Sequence, residues 1–185
     1  MVKSIGNEKI SCAVFISGRG TNLKSIFKYS KNKYSKINLK LVISNRRDAL
    51  GVIFARDNKI DCKIINYKNT KKEEKKILNY LKRKKIKFIF LAGFMKILSK
   101  NFIKKFKNKI VNIHPSLLPN YKGLNTHMRV IANKEKFSGC TVHFVNGKID
   151  SGKIIIQKKV KILKLDTAKS LSKKILKEEN KLYPK

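Results

Sequence analysis

Short apolar runs alternate along the chain with longer amphipathic stretches, and the alternation predicts strands and helices in turn. Ser11-Cys12-Ala13-Val14-Phe15-Ile16-Ser17 is apolar throughout its interior and reads as a buried first strand. The segment before it, residues 1–9, is polar and reads as a loose lead-in. Gly18-Arg19-Gly20-Thr21-Asn22 ends the strand, and Leu23, Ile26 and Phe27 then recur at helical spacing. Residues 39–44 predict a second strand, 48–58 a short helix and 62–65 a third, short strand. Residues 70–84 form a charged helix with Ile77, Leu78 and Leu81 as its apolar stripe and Thr70 as its cap. Residues 87–92 are apolar almost without a break, as a central parallel strand requires, and 99–107 read as a brief helix. A fifth strand ends at Ile110-Val111-Asn112-Ile113, a short helix spans 128–133, and a sixth strand covers 139–145. Asn146-Gly147-Lys148 is a turn, short enough that a seventh strand over 154–160 runs antiparallel to the sixth. Ala168, Leu171, Ile175 and Leu182 mark the buried side of a last helix over 167–183. The pattern is that of an α/β protein with a Rossmann-like open sheet of about seven strands. The sheet is mostly parallel, its last strand is antiparallel, and helices cover both faces.

Within this frame one stretch carries chemistry. In Asn112-Ile113-His114-Pro115-Ser116-Leu117-Leu118-Pro119 the two prolines stop any ladder from continuing. Side chains alternate along a strand, so Asn112 and His114 share a face at its C-terminal edge, where open α/β sheets bind ligands. An amide and an imidazole placed together can hold an oxyanion and move a proton. The Gly18–Asn22 turn is the second candidate. Glycines allow a ligand to approach the backbone, and the following helix offers free N–H groups to an anion, with Thr21 or Asn22 as cap. Leu at position 23 leaves the dinucleotide-type glycine pattern incomplete, so phosphate is better supported than a nicotinamide cofactor. Gly93-Phe94-Met95-Lys96-Ile97-Leu98, leaving the sheet through a glycine, offers an apolar wall for a flat heterocycle.

Composition changes the picture in one respect. The chain has 185 residues, enough for one domain with a full core, and no apolar run of about 18 residues that would span a bilayer. Lys and Arg number 46 against 11 Asp and Glu, a formal charge of +35 that raises nucleic-acid binding as a possibility. Against it, the lysines are spread over the whole chain, arginine is scarce, and no nucleic-acid recognition motif is present. The excess reads as lysine filling exposed positions, with a field that attracts small polyanions. Cys12, Cys62 and Cys140 are widely spaced and read as reduced thiols of a cytoplasmic protein, without metal-ligand spacing.

Five separated segments together closely resemble the phosphoribosylglycinamide formyltransferases. They are Ile16–Asn22, Leu91–Leu98, Asn112–Pro119, Gly123-Leu124-Asn125-Thr126-His127, and Thr141-Val142-His143-Phe144-Val145 with Asp150. The resemblance implies a single formyltransferase catalytic domain over residues 1–185. Its implied reaction passes the formyl group of 10-formyltetrahydrofolate to the amine of glycinamide ribonucleotide, without metal. By the same resemblance Asn112, His114 and Asp150 are catalytic, and Asp150 is expected to hold His114 charged. Gly20, Thr21 and Asn22 are expected at the phosphate, and Glu179 at the ribose. Lys71, Met95, Lys96, Ile97 and Leu98 are expected at the folate, together with Asn112 and the 146–150 loop (Asn146, Gly147, Lys148, Ile149). The partners are these small molecules, with no specific nucleic acid and no membrane, and the protein is expected to be a monomer or homodimer. Two departures stand out: Asn125 replaces a histidine found in some members, and the chain stops soon after Tyr183-Pro184. His143 reads as a core residue or one behind the site, and His127 as ordering its loop through hydrogen bonds. Methionyl-tRNA formyltransferase and formyltetrahydrofolate deformylase share the core motif but normally carry further domains, for which 185 residues leave no room.

Overall fold

A computed structural model describes residues 9–185, so all of the polar lead-in except Lys9 lies outside the described residues. The order is β1 (Ile10–Ile16), α1 (Thr21–Ser30), β2 (Ile37–Ser44), α2 (Leu50–Asp57), β3 (Cys62–Ile64), α3 (Thr70–Arg83) and β4 (Phe88–Leu91). It continues with α4 (Lys100–Phe106), β5 (Lys109–His114), α5 (Thr126–Ala132), β6 (Phe137–Phe144), β7 (Ile154–Lys161) and α6 (Ala168–Leu182). All seven strands join one sheet in the order β3-β2-β1-β4-β5-β6-β7. The pairings from β3 through β5 are parallel. β6 is antiparallel to both β5 and β7, so β6 is the reversed strand and β7 again points with the parallel set.

Because successive strand residues face opposite ways, the central strands feed two cores at once. Val14, Ile16, Val42 and Val111 pack with Leu23 and Ile26 of α1, Val52 and Ala55 of α2, and Leu171 and Ile175 of α6. Ala13, Phe15, Leu41, Ile43 and Ile89 pack with Ile77 and Leu81 of α3 and Phe102 and Phe106 of α4. Helices therefore cover both faces. The direction of strand order reverses between β1 and β4, which opens a crevice at their C-terminal ends.

Two caps differ from the sequence expectation. α3 is capped by Asn69, whose extended backbone lets its side chain accept from the Lys72 N–H at 3.0 Å; Thr70 is already helical. α1 has no side-chain cap at all, because Gly20 occupies the capping position in the left-handed region at φ 73°. Neither Thr21 nor Asn22 plays that part. The last helix starts from Thr167, which forms a reciprocal capping box with Ser170.

Candidate active site

β5 carries Val111 into one core and turns Asn112 and His114 to the other face. Antiparallel pairing then sets His143 of β6 directly opposite Asn112. The chain leaves β6, turns, and returns Asp150 to the same place, held by the Gly123 N–H at 2.9 Å from Oδ2. Four side chains converge. Asp150 Oδ2 lies 3.2 Å from His114 Nδ1, and Oδ1 lies 3.5 Å from His143 Nε2. The Asn112 amide nitrogen is 3.4 Å from Asp150 Oδ1 and 3.2 Å from His143 Nε2. The other His114 nitrogen, Nε2, faces the Tyr121 backbone carbonyl at 2.8 Å.

The electrostatics corrects one expectation. Burial pulls the His114 pKa down, and although the Tyr121 carbonyl and the Asp150 carboxylate both favour the charged ring, the net direction is below the ordinary value. Burial thus opposes the charged state that Asp150 and the Tyr121 carbonyl favour. A carboxylate neighbour is visible in a sequence, whereas the loss of water around a nearly buried ring is not. For Asp150 itself burial raises the pKa, but the His143 contact, the Gly123 N–H and the nearby imidazoles outweigh it and keep the carboxyl below its usual range. The site thus combines an ionised acid with a nearly buried imidazole that has an acceptor beside each ring nitrogen.

Asn112, His114 and Asp150 form one wall of a cavity of about 690 Å³, within the size range of small-molecule sites. Met95, Lys96, Ile97, Asn112 and Ile149 line it as the sequence suggested, together with Asp150. The other expected contacts are not brought there. Leu98 is buried in the core beside α3 and α4. Lys71 sits exposed on the first turn of α3. Asn146, Gly147 and Lys148 form a turn closed on itself, Asn146 bonding to the Ser151 carbonyl and the Lys148 N–H.

A second, smaller cavity of about 300 Å³ adjoins the first, sharing Gly93, Met95, Ile113, Pro115 and His127 with it. Gly18, Arg19, Gly20, Thr21 and Asn22 line it at the N-terminus of α1, with Glu179 of α6 opposite. The N–H groups of a helix's first turn have no intrahelical partner and face any anion seated there. Gly20 is required twice over, by its positive φ and because a Cβ would stand 2.7 Å from the Gly51 backbone. Gly20→Ala is expected to cost about 1–2 kcal/mol from the left-handed backbone alone, with more from that collision, as urea unfolding would measure. Asn22 does not face the cavity freely: its amide donates to Glu179 at 2.9 Å, and its own Oδ1 is buried without a partner. Burial pushes the Glu179 pKa up to about 7 against that hydrogen bond, which softens the repulsion between this carboxyl and an anion nearby.

Sequence reasoning missed part of the site. Tyr121 acts through its backbone carbonyl, which no side-chain motif reports. His127 lines both cavities, and its Nδ1 is buried without a hydrogen-bond partner instead of ordering the loop as expected. Arg19 and Ala168 are on the walls as well. Among the described residues no group of His, Cys, Asp and Glu side chains is placed to hold a metal ion, and no helix is long and apolar enough to cross a membrane.

Comparison with known proteins agrees with this geometry. The formyl transferase family model matches residues 10–185. The phosphoribosylglycinamide formyltransferase of Haemophilus influenzae is 39% identical over 175 residues, covering 93% of this chain and 82% of that protein. The human trifunctional purine biosynthetic protein adenosine-3 is 38% identical over 184 residues; the match takes in 98% of this chain but only 18% of that much longer protein. Among solved structures, the phosphoribosylglycinamide formyltransferase of Anaplasma phagocytophilum superimposes with a TM-score of 0.90 at 37% identity, covering 96% of this chain and 84% of that one. A strand-end Asn and His, a returning Asp and a glycine turn facing a carboxylate are thus set in a whole-chain match, and the chain belongs to the formyl transferase family, among its phosphoribosylglycinamide formyltransferases.

Proposed function

We propose that this protein transfers the formyl group of 10-formyltetrahydrofolate to the amine of 5-phosphoribosylglycinamide in purine biosynthesis, without a metal. The observation that carries the reading is the position of Asn112, His114 and Asp150, in the wall of an apolar cavity that adjoins the pocket at the glycine turn. The apolar cavity suits the folate, with Met95, Lys96, Ile97 and Ile149 against its flat ring. The turn suits the ribonucleotide, with Gly20 and Thr21 at the phosphate and the Asn22–Glu179 pair towards the ribose. We take the described residues as one catalytic domain acting in the cytoplasm as a monomer or homodimer.

In the transfer the glycinamide nitrogen bonds to the formyl carbon and the carbonyl electrons move onto the formyl oxygen. The carbon–nitrogen bond to the folate then breaks, and the proton lost by the amine goes to the departing folate nitrogen. The Asn112 amide and the His114 ring supply hydrogens to the charged oxygen. In the charged ring Nδ1 of His114 donates to Asp150, so the hydrogen at Nε2, beside the Tyr121 carbonyl, is the one that can turn to substrate. In its neutral form the ring can instead take the amine proton, and Asp150 stabilises the imidazolium so formed.

Purified protein given 10-formyltetrahydrofolate should release tetrahydrofolate only when glycinamide ribonucleotide is present. Release without the ribonucleotide would mark a deformylase, and no release from folded protein would overturn the reading.

A further inference from the structure

Building on that reading, we infer that His143 is a positioning residue for the transfer: as the neutral Nδ1–H tautomer it accepts from Asn112 and keeps the amide's NH2 end towards the reacting group. Its Nδ1 lies 2.9 Å from the Phe144 carbonyl, which can only accept, so Nδ1 carries the hydrogen. The orientation of Asn112 follows independently. One end of its amide lies 3.4 Å from Asp150 Oδ1, and this carboxylate, whose other oxygen takes the Gly123 N–H, also accepts, so that end is the nitrogen. The same nitrogen is 3.2 Å from His143 Nε2, which must then present its lone pair. Both arguments give one tautomer.

The arrangement matters for catalysis because an asparagine amide has two ends of nearly equal shape and opposite chemistry. Turned over, it would offer the formyl oxygen a carbonyl in place of a donor. His143, 2% exposed and fixed by its own backbone neighbour, anchors one Nδ2 hydrogen. The other, on the longer contact to Asp150, remains available to swing to a developing oxyanion. The opposite tautomer would set an Nε2–H against the amide hydrogens and drive the side chain over. His143 is therefore not filler behind the site, and it need not touch substrate to act.

Two measurements test this. The chain has three histidines, so 15N-histidine labelling with His→Gln variants for assignment resolves each ring by NMR. His143 is expected protonated at Nδ1 and bare at Nε2 in the free protein, and a hydrogen on Nε2 would overturn the inference whatever the activity. In steady-state kinetics His143→Phe, which keeps the ring and removes the acceptor, is expected to lower kcat about 10- to 100-fold, less than loss of an oxyanion donor. Both KM values should stay within about twofold, because the orienting contact acts on a group used in the transition state. His143→Gln, whose side-chain oxygen stands in for Nε2, should recover most of that loss. In an Asn112→Ala background His143→Phe should have no further effect. Equal losses with and without Asn112, or no rescue by Gln in a folded variant, would reduce His143 to a packing role. Inactive wild-type protein would instead sink the formyl-transfer reading, and the NMR result would still decide the tautomer.

Discussion

Asp150→Asn is expected to lower kcat about a thousandfold, with both KM values changed by only a few-fold. The substitution is nearly isosteric, so the effect isolates chemistry from shape. Asp150 accepts at both oxygens: Oδ2 faces His114 Nδ1 and the Gly123 N–H, and Oδ1 takes the Asn112 amide. An asparagine can accept at one end only. Its NH2 would stand against either the Gly123 and His114 donors or the Asn112 amide, and one of those hydrogen bonds must be lost. The charge goes too, so nothing offsets the imidazolium that forms when His114 takes a proton in its buried position. Steady-state kinetics beside a circular-dichroism check of folding would measure the change, and a loss below tenfold would remove Asp150 from the catalytic group.

Glu179→Gln is expected to stabilise the protein at alkaline pH, by about 3 kcal/mol from a displacement of roughly two and a half pKa units. Burial lifts the Glu179 pKa from 4.5 to about 7. Between those values the folded chain keeps a proton that the unfolded chain releases, so wild-type stability falls as pH rises through the window. Below about pH 4.5 the carboxyl is protonated in both states and Gln is close to neutral in effect. Above about pH 7 the folded wild type holds a buried, ionised carboxylate supported by a single amide donor from Asn22. Gln carries no such penalty. Urea unfolding at pH 5 and pH 8.5, compared as wild type minus variant, cancels every other titrating group. A difference that does not grow with pH would show that Glu179 ionises freely in the folded protein.

The strand and helix plan was legible because parallel strands buried on both faces leave unbroken apolar runs. Residues 11–17 and 87–92 are of this kind, and glycine turns punctuate them. β2 was read two residues short: Ile37-Asn38-Leu39-Lys40 alternates instead of running apolar, and its outer half is only partly buried. The reversal of β6 against β5 was not legible, since the connection between them contains a helix and carries no turn signature. In the site, Asn112 and His114 were read from their own place at a strand end, while Asp150 and Glu179 were named only through the family resemblance; all four lie on the cavity walls. What the sequence concealed was mostly main chain, the Tyr121 carbonyl and the Gly123 N–H, which any residue supplies. The charge state of His114 was hidden for another reason: it depends on excluded water, a property of the assembled cavity.

α6 also bears on the order in which the protein becomes competent during its own synthesis. Tyr183, just past this helix, is buried and its hydroxyl reaches the carbonyls of both Leu91 and Val111, bridging β4 and β5 from across the sheet. Glu179 closes the cavity at the glycine turn. A nascent chain that has emerged through β7 already holds Asn112, His114, His143 and Asp150, yet lacks the wall facing the anion and the tie across the two central strands. Such a chain exposes the apolar positions that Leu171 and Ile175 will cover, a surface suited to chaperone capture. On the ribosome, then, the residues of the reactive group emerge before the helix that walls the pocket beside them.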